Sequence, residues 1–286
     1  MIPQPIITAW RSQAPWTEFS QVEQDLVLTR AVIEIYSDPL LSSMFAFRGG
    51  TAMQKLFFAS PNRYSEDIDL VQIKRGPIGS AIDAIRKHLD PWLGEPRRNR
   101  KQDRVTMIYR FQSEGQPVQS MRLKIEVNTS ENFVVRELQK KTIRCATEWF
   151  TGESEAVTYE IEELLGTKLR ALYQRKKGRD LFDMAMALHH FPKLDPVKVL
   201  ACFQKYMEHQ GVKVSRAQYE ANLALKMKEA AFIEDLLPLM APEMGKFDFD
   251  AAHKRVATTF ISLLPGEPWK GEEAKKKKLS RPSKQG

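Results

Sequence analysis

The feature that most constrains this chain is a glycine pair followed at a fixed distance by two alternating acids. Phe47-Arg48-Gly49-Gly50-Thr51 is followed, with Asp67 16 residues after Thr51, by Asp67-Ile68-Asp69-Leu70-Val71. Residues 44–47 are a short apolar run, as a buried strand requires. Gly49-Gly50 ends it, and with no Cβ there the backbone can turn sharply and approach a ligand closely. Thr51 stands where a helix N-cap stands, ahead of a helix expected over 52–58. The free N–H groups of a helix start form an anion site that a phosphate fits. On a strand, Asp67 and Asp69 share one face while Ile68 and Leu70 point to the core. Two ionised acids side by side repel unless something neutralises them. Mg²⁺ held by carboxylates and substrate phosphates does so. The alternative is a solvated face on an edge strand.

Arg48-Gly49-Gly50-Thr51-Ala52 with Arg63-Tyr64-Ser65-Glu66-Asp67-Ile68-Asp69-Leu70 resembles the Gly-Gly-(Ser/Thr)…Asp-x-Asp signature of the polymerase-β-like nucleotidyltransferases. In its wording the pair resembles the AbiEii toxin family, the nucleotidyltransferase toxins of type IV toxin–antitoxin and abortive-infection systems. The resemblance implies an α/β (α+β) fold: a nucleotidyltransferase lobe with a mixed sheet, then an α-helical lobe. We place these at residues 1–157 and 158–265, with a basic, disordered tail at 266–286.

The 286 residues suffice for one large or two ordinary domains. Charged residues at 28% and hydrophobic ones at 42% are those of a soluble globular protein. No apolar window reaches membrane-spanning length. The N-terminus lacks the basic-then-apolar plan of a signal peptide. Cys145 and Cys202 make neither a disulfide framework nor a zinc pattern. These features point to the cytoplasm and to no membrane partner. The formal charge is +8, and residues 266–286 alone hold seven Lys and Arg against three Glu. Two further basic groups are Arg97, Arg98, Arg100, Lys101 and Arg104, and Lys168, Arg170, Arg175, Lys176, Lys177 and Arg179. Such groups bind nucleic acid or nucleotide phosphates, or are ordinary solvated faces.

Along the chain, residues 1–15 carry three prolines and read as a loose arm. A helix over 17–36 presents Phe19, Val22, Leu26 and Ile33, with Glu18, Glu23, Gln24 and Asp25 on the opposite, polar side. A helix over 78–93 follows the acidic strand, then a charged connector over 97–103 and a hairpin of strands 105–111 and 121–128. In the second of these strands Leu123, Ile125 and Val127 face one side, and Arg122, Lys124, Glu126 and Asn128 the other. If it neighbours the acidic strand, Glu126 joins Asp67 and Asp69 as the third carboxylate of a two-metal centre. The wider superfamily pattern has a third acid here, often Asp. The alternative is a surface Lys-Glu face. Residues 133–150 read only as connecting strand or loop. A helix over 158–177 carries Ile161, Leu164, Leu165, Leu169 and Leu172, with Lys168 on the same apolar face. A lysine there either extends its head to water or meets an anion, which beside a metal-phosphate centre would be a triphosphate. Further helices are expected over 181–191, 196–210, 216–227, 230–239 and 249–263.

The AbiEii resemblance returns in Glu162-Glu163-Leu164-Leu165-Gly166-Thr167-Lys168-Leu169-Arg170 and Arg175-Lys176-Lys177-Gly178-Arg179-Asp180-Leu181-Phe182-Asp183. It implies Lys168 as a phosphate-binding lysine and Asp183 as a later motif acid, with Asp180 as its rival. Asp180 also reads as an acid favoured by a helix start. Arg175 and Arg179 would contact phosphate or pair with these acids. The implied enzyme transfers a nucleotide from an NTP to a hydroxyl. Asp67, Asp69 and Glu126 would bind Mg²⁺ or Mn²⁺, and Gly49, Gly50 and Thr51 would hold phosphates. Its implied partners are tRNA or another RNA and a cognate antitoxin. A protein or small-molecule acceptor, or a non-catalytic NTP-binding protein, are the alternatives.

Overall fold

A computed structural model describes residues 2–271. The basic tail expected at 266–286 therefore lies, from residue 272 on, outside the described residues. The elements run α1 (Gln4–Trp10), α2 (Phe19–Ser37), α3 (Pro39–Met44), β1 (Phe45–Arg48), α4 (Gly49–Leu56), β2 (Asp67–Gln72), α5 (Gly79–Leu93), β3 (Arg97–Arg100), β4 (Arg104–Gln112), β5 (Ser120–Asn128), β6 (Leu138–Ala146) and β7 (Thr151–Tyr159). Then come α6 (Ile161–Gln174), α7 (Gly178–His190), α8 (Pro196–His209), α9 (Arg216–Met227), α10 (Ala230–Glu234) and α11 (Phe249–Thr259). Two compact units result. Of the described residues, the first comprises 2–164 and 239–247, the second 165–238 and 248–271. No described helix is long and apolar enough to cross a membrane.

The first unit is built on one mixed sheet in the order β3-β4-β5-β2-β1-β7-β6. β2 runs parallel to β5 and β1 parallel to β7, and the other neighbours are antiparallel. Alternation does the sorting. Ile68 and Leu70 of β2, Val105, Met107 and Tyr109 of β4, and Leu123, Ile125 and Val127 of β5 are buried on one face. Against this side packs α2, which touches β7, β6, β5 and β2.

α2 is buried almost all round, and this corrects the expected polar side. Glu23, Gln24 and Asp25 are all buried. Each has partners distant in sequence, as buried polar groups require. Asp25 accepts from the indoles of Trp10 (2.8 Å) and Trp16 (3.4 Å) and from Lys55 (2.6 Å). Gln24 donates to the Arg122 carbonyl at 3.0 Å, and Glu23 accepts from the Glu114 amide at 3.0 Å. Burial pushes the Glu23 carboxyl up to about 7 from 4.5. The unfolded chain releases this proton first, so folding loses stability as pH rises from about 4.5 to about 7. Glu23→Gln is expected to remove that slope and to gain about 2 kcal/mol over wild type at pH 8. Denaturant midpoints at pH 5 and pH 8 measure it; parallel shifts of both proteins would contradict it.

Other elements also differ from expectation. The loose arm is helix α1. Its proline falls in the first turn, where it does not disturb a helix, and Ile7 and Trp10 are buried. Half of the charged connector is β3, an edge strand whose four residues are all exposed and which pairs through its backbone alone. The uninformative stretch holds β6. The helix expected from 158 starts at Ile161, because Thr158 and Tyr159 complete β7. Thr158 registers with Phe47 and donates to its carbonyl at 2.7 Å. The helices expected over 230–239 and 249–263 are shorter, each followed by a 3-10 turn.

Candidate active site

The site begins where β1 becomes α4. Gly49 has φ +84°, a left-handed conformation, and a Cβ placed there would lie 2.2 Å from Asp69 Oδ2. At Gly50 a Cβ would lie 2.3 Å from a guanidinium nitrogen of Arg63, which is itself buried. The helix start and the second acid of β2 are thus in direct contact, and only glycine permits it. Thr51 is the third residue of α4 rather than its N-cap, which is Arg48. The Thr51 hydroxyl donates to the Asp67 carbonyl at 2.6 Å and lies 2.8 Å from Ser65 Oγ. Its hydroxyl therefore ties α4 to β2. Gly49→Ala is expected to cost about 1–2 kcal/mol in backbone strain alone. Displacing Asp69 by an ångström should cost roughly 100-fold in transfer rate. Thermal unfolding with a transfer assay reads both, and unchanged values would contradict the contact.

β2 and β5 then align the acids. Asp69 registers with Glu126 on one side and Arg48 on the other, and Asp67 registers with Lys124. Asp67, Asp69 and Glu126 therefore share one sheet face. Lys124 Nζ stands between two of them, 3.2 Å from Asp67 Oδ2 and 3.6 Å from Glu126 Oε2. Arg104 reaches Glu126 Oε1 at 3.2 Å and Asp103 at 3.0 Å. Arg48 pairs with Glu131. Burial and then the Asp67 charge push the Asp69 carboxyl up, and Lys124 and Arg48 only partly offset them. The Lys124 ammonium is opposed by burial, but Asp67 and Glu126 outweigh this and raise it.

Among the described residues no group of three or more acid, histidine or cysteine side chains is gathered closely enough to cage a metal. The donor chemistry nevertheless fits a hard cation. Three carboxylates occupy neighbouring positions on one face, and burial, then the Asp67 charge, raises the proton affinity of Asp69. Lys124, Arg104 and Arg63 were not singled out as site residues from the sequence. Lys124 was legible in principle, since alternation puts it on the face of Glu126. Two cavities of about 590 and 640 Å³ lie elsewhere in this unit, beside α1 and β6, and touch none of the three acids.

The second unit holds the later motif residues. Lys168 is buried, and its anions are the protein's own: Asp180 at 3.0 Å and Asp183 at 2.8 Å. Its head therefore does not extend to water. Both aspartates are fully buried. Arg175 bridges Asp180 through two contacts of 2.6 and 2.7 Å. Burial pushes the Asp180 carboxyl up, but Lys168 and Arg175 outweigh it and hold it well below the usual carboxylate range. Arg179 pairs with Asp235 at 3.4 Å rather than with either motif acid.

MenT4, a nucleotidyltransferase toxin from Mycobacterium tuberculosis, superposes with a TM-score of 0.61 at 11% identity, covering 93% of this chain and 91% of that one. JHP933 from Helicobacter pylori superposes with a TM-score of 0.54 at 15% identity, covering 92% and 97%. At such identities the likeness is one of fold. A comparison with curated proteins found no match. The family model described as "Nucleotidyl transferase AbiEii toxin, Type IV TA system" matches residues 30–262, most of the chain. The chain belongs to the AbiEii family of nucleotidyltransferase toxins.

Proposed function

We propose that this nucleotidyltransferase moves a nucleoside monophosphate from an NTP to the hydroxyl of an RNA, with the 3′ end of tRNA as the acceptor. A cognate antitoxin neutralises the resulting growth inhibition in the cytoplasm. The observation that carries the chemistry is the placement of Asp67, Asp69 and Glu126 on one sheet face, with Asp69 against the Gly49 turn. The exposed basic group at 97–101 favours RNA over an uncharged acceptor.

Asp67, Asp69 and Glu126 would hold Mg²⁺, or Mn²⁺. The bound ion would supply Lewis-acid stabilisation of charge developing on phosphate oxygens. The amides of Gly49, Gly50 and Thr51 at the start of α4 bind phosphate oxygens. The acceptor oxygen bonds to the α-phosphorus, the α–β phosphoanhydride breaks, and pyrophosphate leaves. The acceptor proton passes to Glu126 Oε2, which Lys124 holds only at 3.6 Å. Lys168, with Arg175 and Arg179, would supply positive charge for phosphate, the Lys168 ammonium being held by Asp180 and Asp183. Positioning and electrostatics carry the rate.

The test is the acceptor. Purified protein, Mg²⁺ and each α-labelled NTP are incubated with total tRNA, and the product is digested with ribonuclease or protease. Label in RNA, lost only to ribonuclease, is expected. Label in protein instead would replace the RNA acceptor with a side chain.

A further inference from the structure

The acid-bearing face of the sheet does not end at the acids. Register carries it outward across β5, β4 and β3. The row of Asp67 continues through Lys124 and Ile108 to Arg97, and the row of Asp69 through Glu126 and Thr106 to Asn99. One step along, Arg122 of β5 stands directly opposite Arg110 of β4. This face is open: Arg97, Asn99, Arg110 and Arg122 are all exposed. Its cations are graded by distance from the acids. Lys124 and Arg104 are paired with them, and Arg122 reaches only Glu66, at 4.0 Å. Arg97 and Arg110 have no carboxylate partner among the described residues.

Like charges directly opposite on an antiparallel pair are destabilising. Arg110 and Arg122 hold that arrangement with only the Glu66 carboxylate, 4.0 Å from Arg122, placed to relieve it among the described residues, and the arrangement suits an anion bridging the two. We infer that this face of β3, β4 and β5 is the docking surface of the RNA acceptor. The phosphates of its strand lie against Arg97, Arg110 and Arg122, and its terminal hydroxyl is led to the acids. The inference rests on the RNA-acceptor reading above. Charge complementarity and continuity with the acids select a polyanion, and phosphate contacts of this kind position a strand without reading its sequence. Arg98 and Arg100 belong to the same strand but register with Met107 and Val105, whose side chains face the core side. They therefore lie on the other face and should not contribute.

That alternation makes the test. A fluorescent single-stranded RNA of mixed sequence is titrated with wild type, with Arg97→Gln/Arg110→Gln and with Arg98→Gln/Arg100→Gln, each at several salt concentrations. The two variants change charge equally, on the same edge of the sheet. The first is expected to bind at least about 10-fold more weakly near 0.1 M salt, with its salt slope reduced by about 1.4, the value for two lost contacts to a single strand. It should unfold at or above the wild-type temperature, since Arg122 loses its like-charged neighbour. The second is expected to bind within about 2-fold of wild type. Equal loss in both variants, or no loss in the first, overturns the docking face. Failure of wild type itself to bind RNA overturns the RNA-acceptor reading.

Discussion

Replacing Asp69 by asparagine is expected to reduce nucleotidyl transfer by at least about 10³-fold and, in the same protein, to leave the unfolding temperature unchanged or raised. The two effects have one cause. Asp69 is held against the Gly49 backbone and beside Asp67 and Glu126, so its charge is opposed by burial and by a like-charged neighbour. Asparagine keeps the shape and removes the charge, which relieves the folded protein. It also removes an anionic ligand, and loss of metal-centred stabilisation of several kcal/mol corresponds to factors of ten per 1.36 kcal/mol. A structural acid on a solvated strand would show neither effect. Thermal unfolding without metal and a transfer assay on the same preparation separate the cases. An Asp69→Asn protein that keeps wild-type transfer would remove the acid from the mechanism.

Lys168→Met is expected to destabilise the chain by about 3–5 kcal/mol, the scale of breaking a buried ion pair by removing one partner. The reason is what remains. Asp180 and Asp183 are fully buried, and each loses the ion pair that the ammonium makes with it. pH dependence carries the sign. The Asp180 carboxyl is held low in the fold, so its contribution is fully present above the ordinary carboxylate range near 4 and is lost as pH falls toward its folded value. Denaturant midpoints at pH 7 should therefore separate wild type from Lys168→Met strongly, and the gap should narrow in acid. Equal midpoints at pH 7 would show that the network contributes no net stability. Loss of activity in this variant would not by itself identify a phosphate contact. Lys168→Arg, which keeps a cation for the two acids, is the better probe of that role.

What was legible in the sequence, and what was not, follows from the range of the interactions. The Gly-Gly turn, the acidic strand and the alternation of Leu123, Ile125 and Val127 are local signals, and the sheet places Glu126 beside Asp69 as that alternation requires. Burial of Asp25 and Glu23 was not legible. Their charge marks a solvated helix side, and the Trp10, Trp16, Lys55 and Glu114 groups that satisfy them come from elsewhere in the chain. β3 was hidden for a different reason. Arg97-Arg98-Asn99-Arg100 has no apolar period, since an exposed edge strand pairs through its backbone. Lys168 stood out as a lysine on an apolar face, but its spacing alone did not name its partners. Asp180 and Asp183 meet it only because α6 and α7 fold back on each other within the second unit.

The most direct measurement is to follow the two ends of the triphosphate in parallel. Wild type and Asp67→Ala/Asp69→Ala are each incubated with Mg²⁺, total tRNA and NTP labelled either at the α- or at the γ-phosphate. With wild type, α-label should enter the acceptor and γ-label should leave as pyrophosphate; with the double variant, neither should move. Transfer of γ-label to the acceptor, or α-label transfer that survives loss of both aspartates, would contradict nucleotidyl transfer at this sheet face.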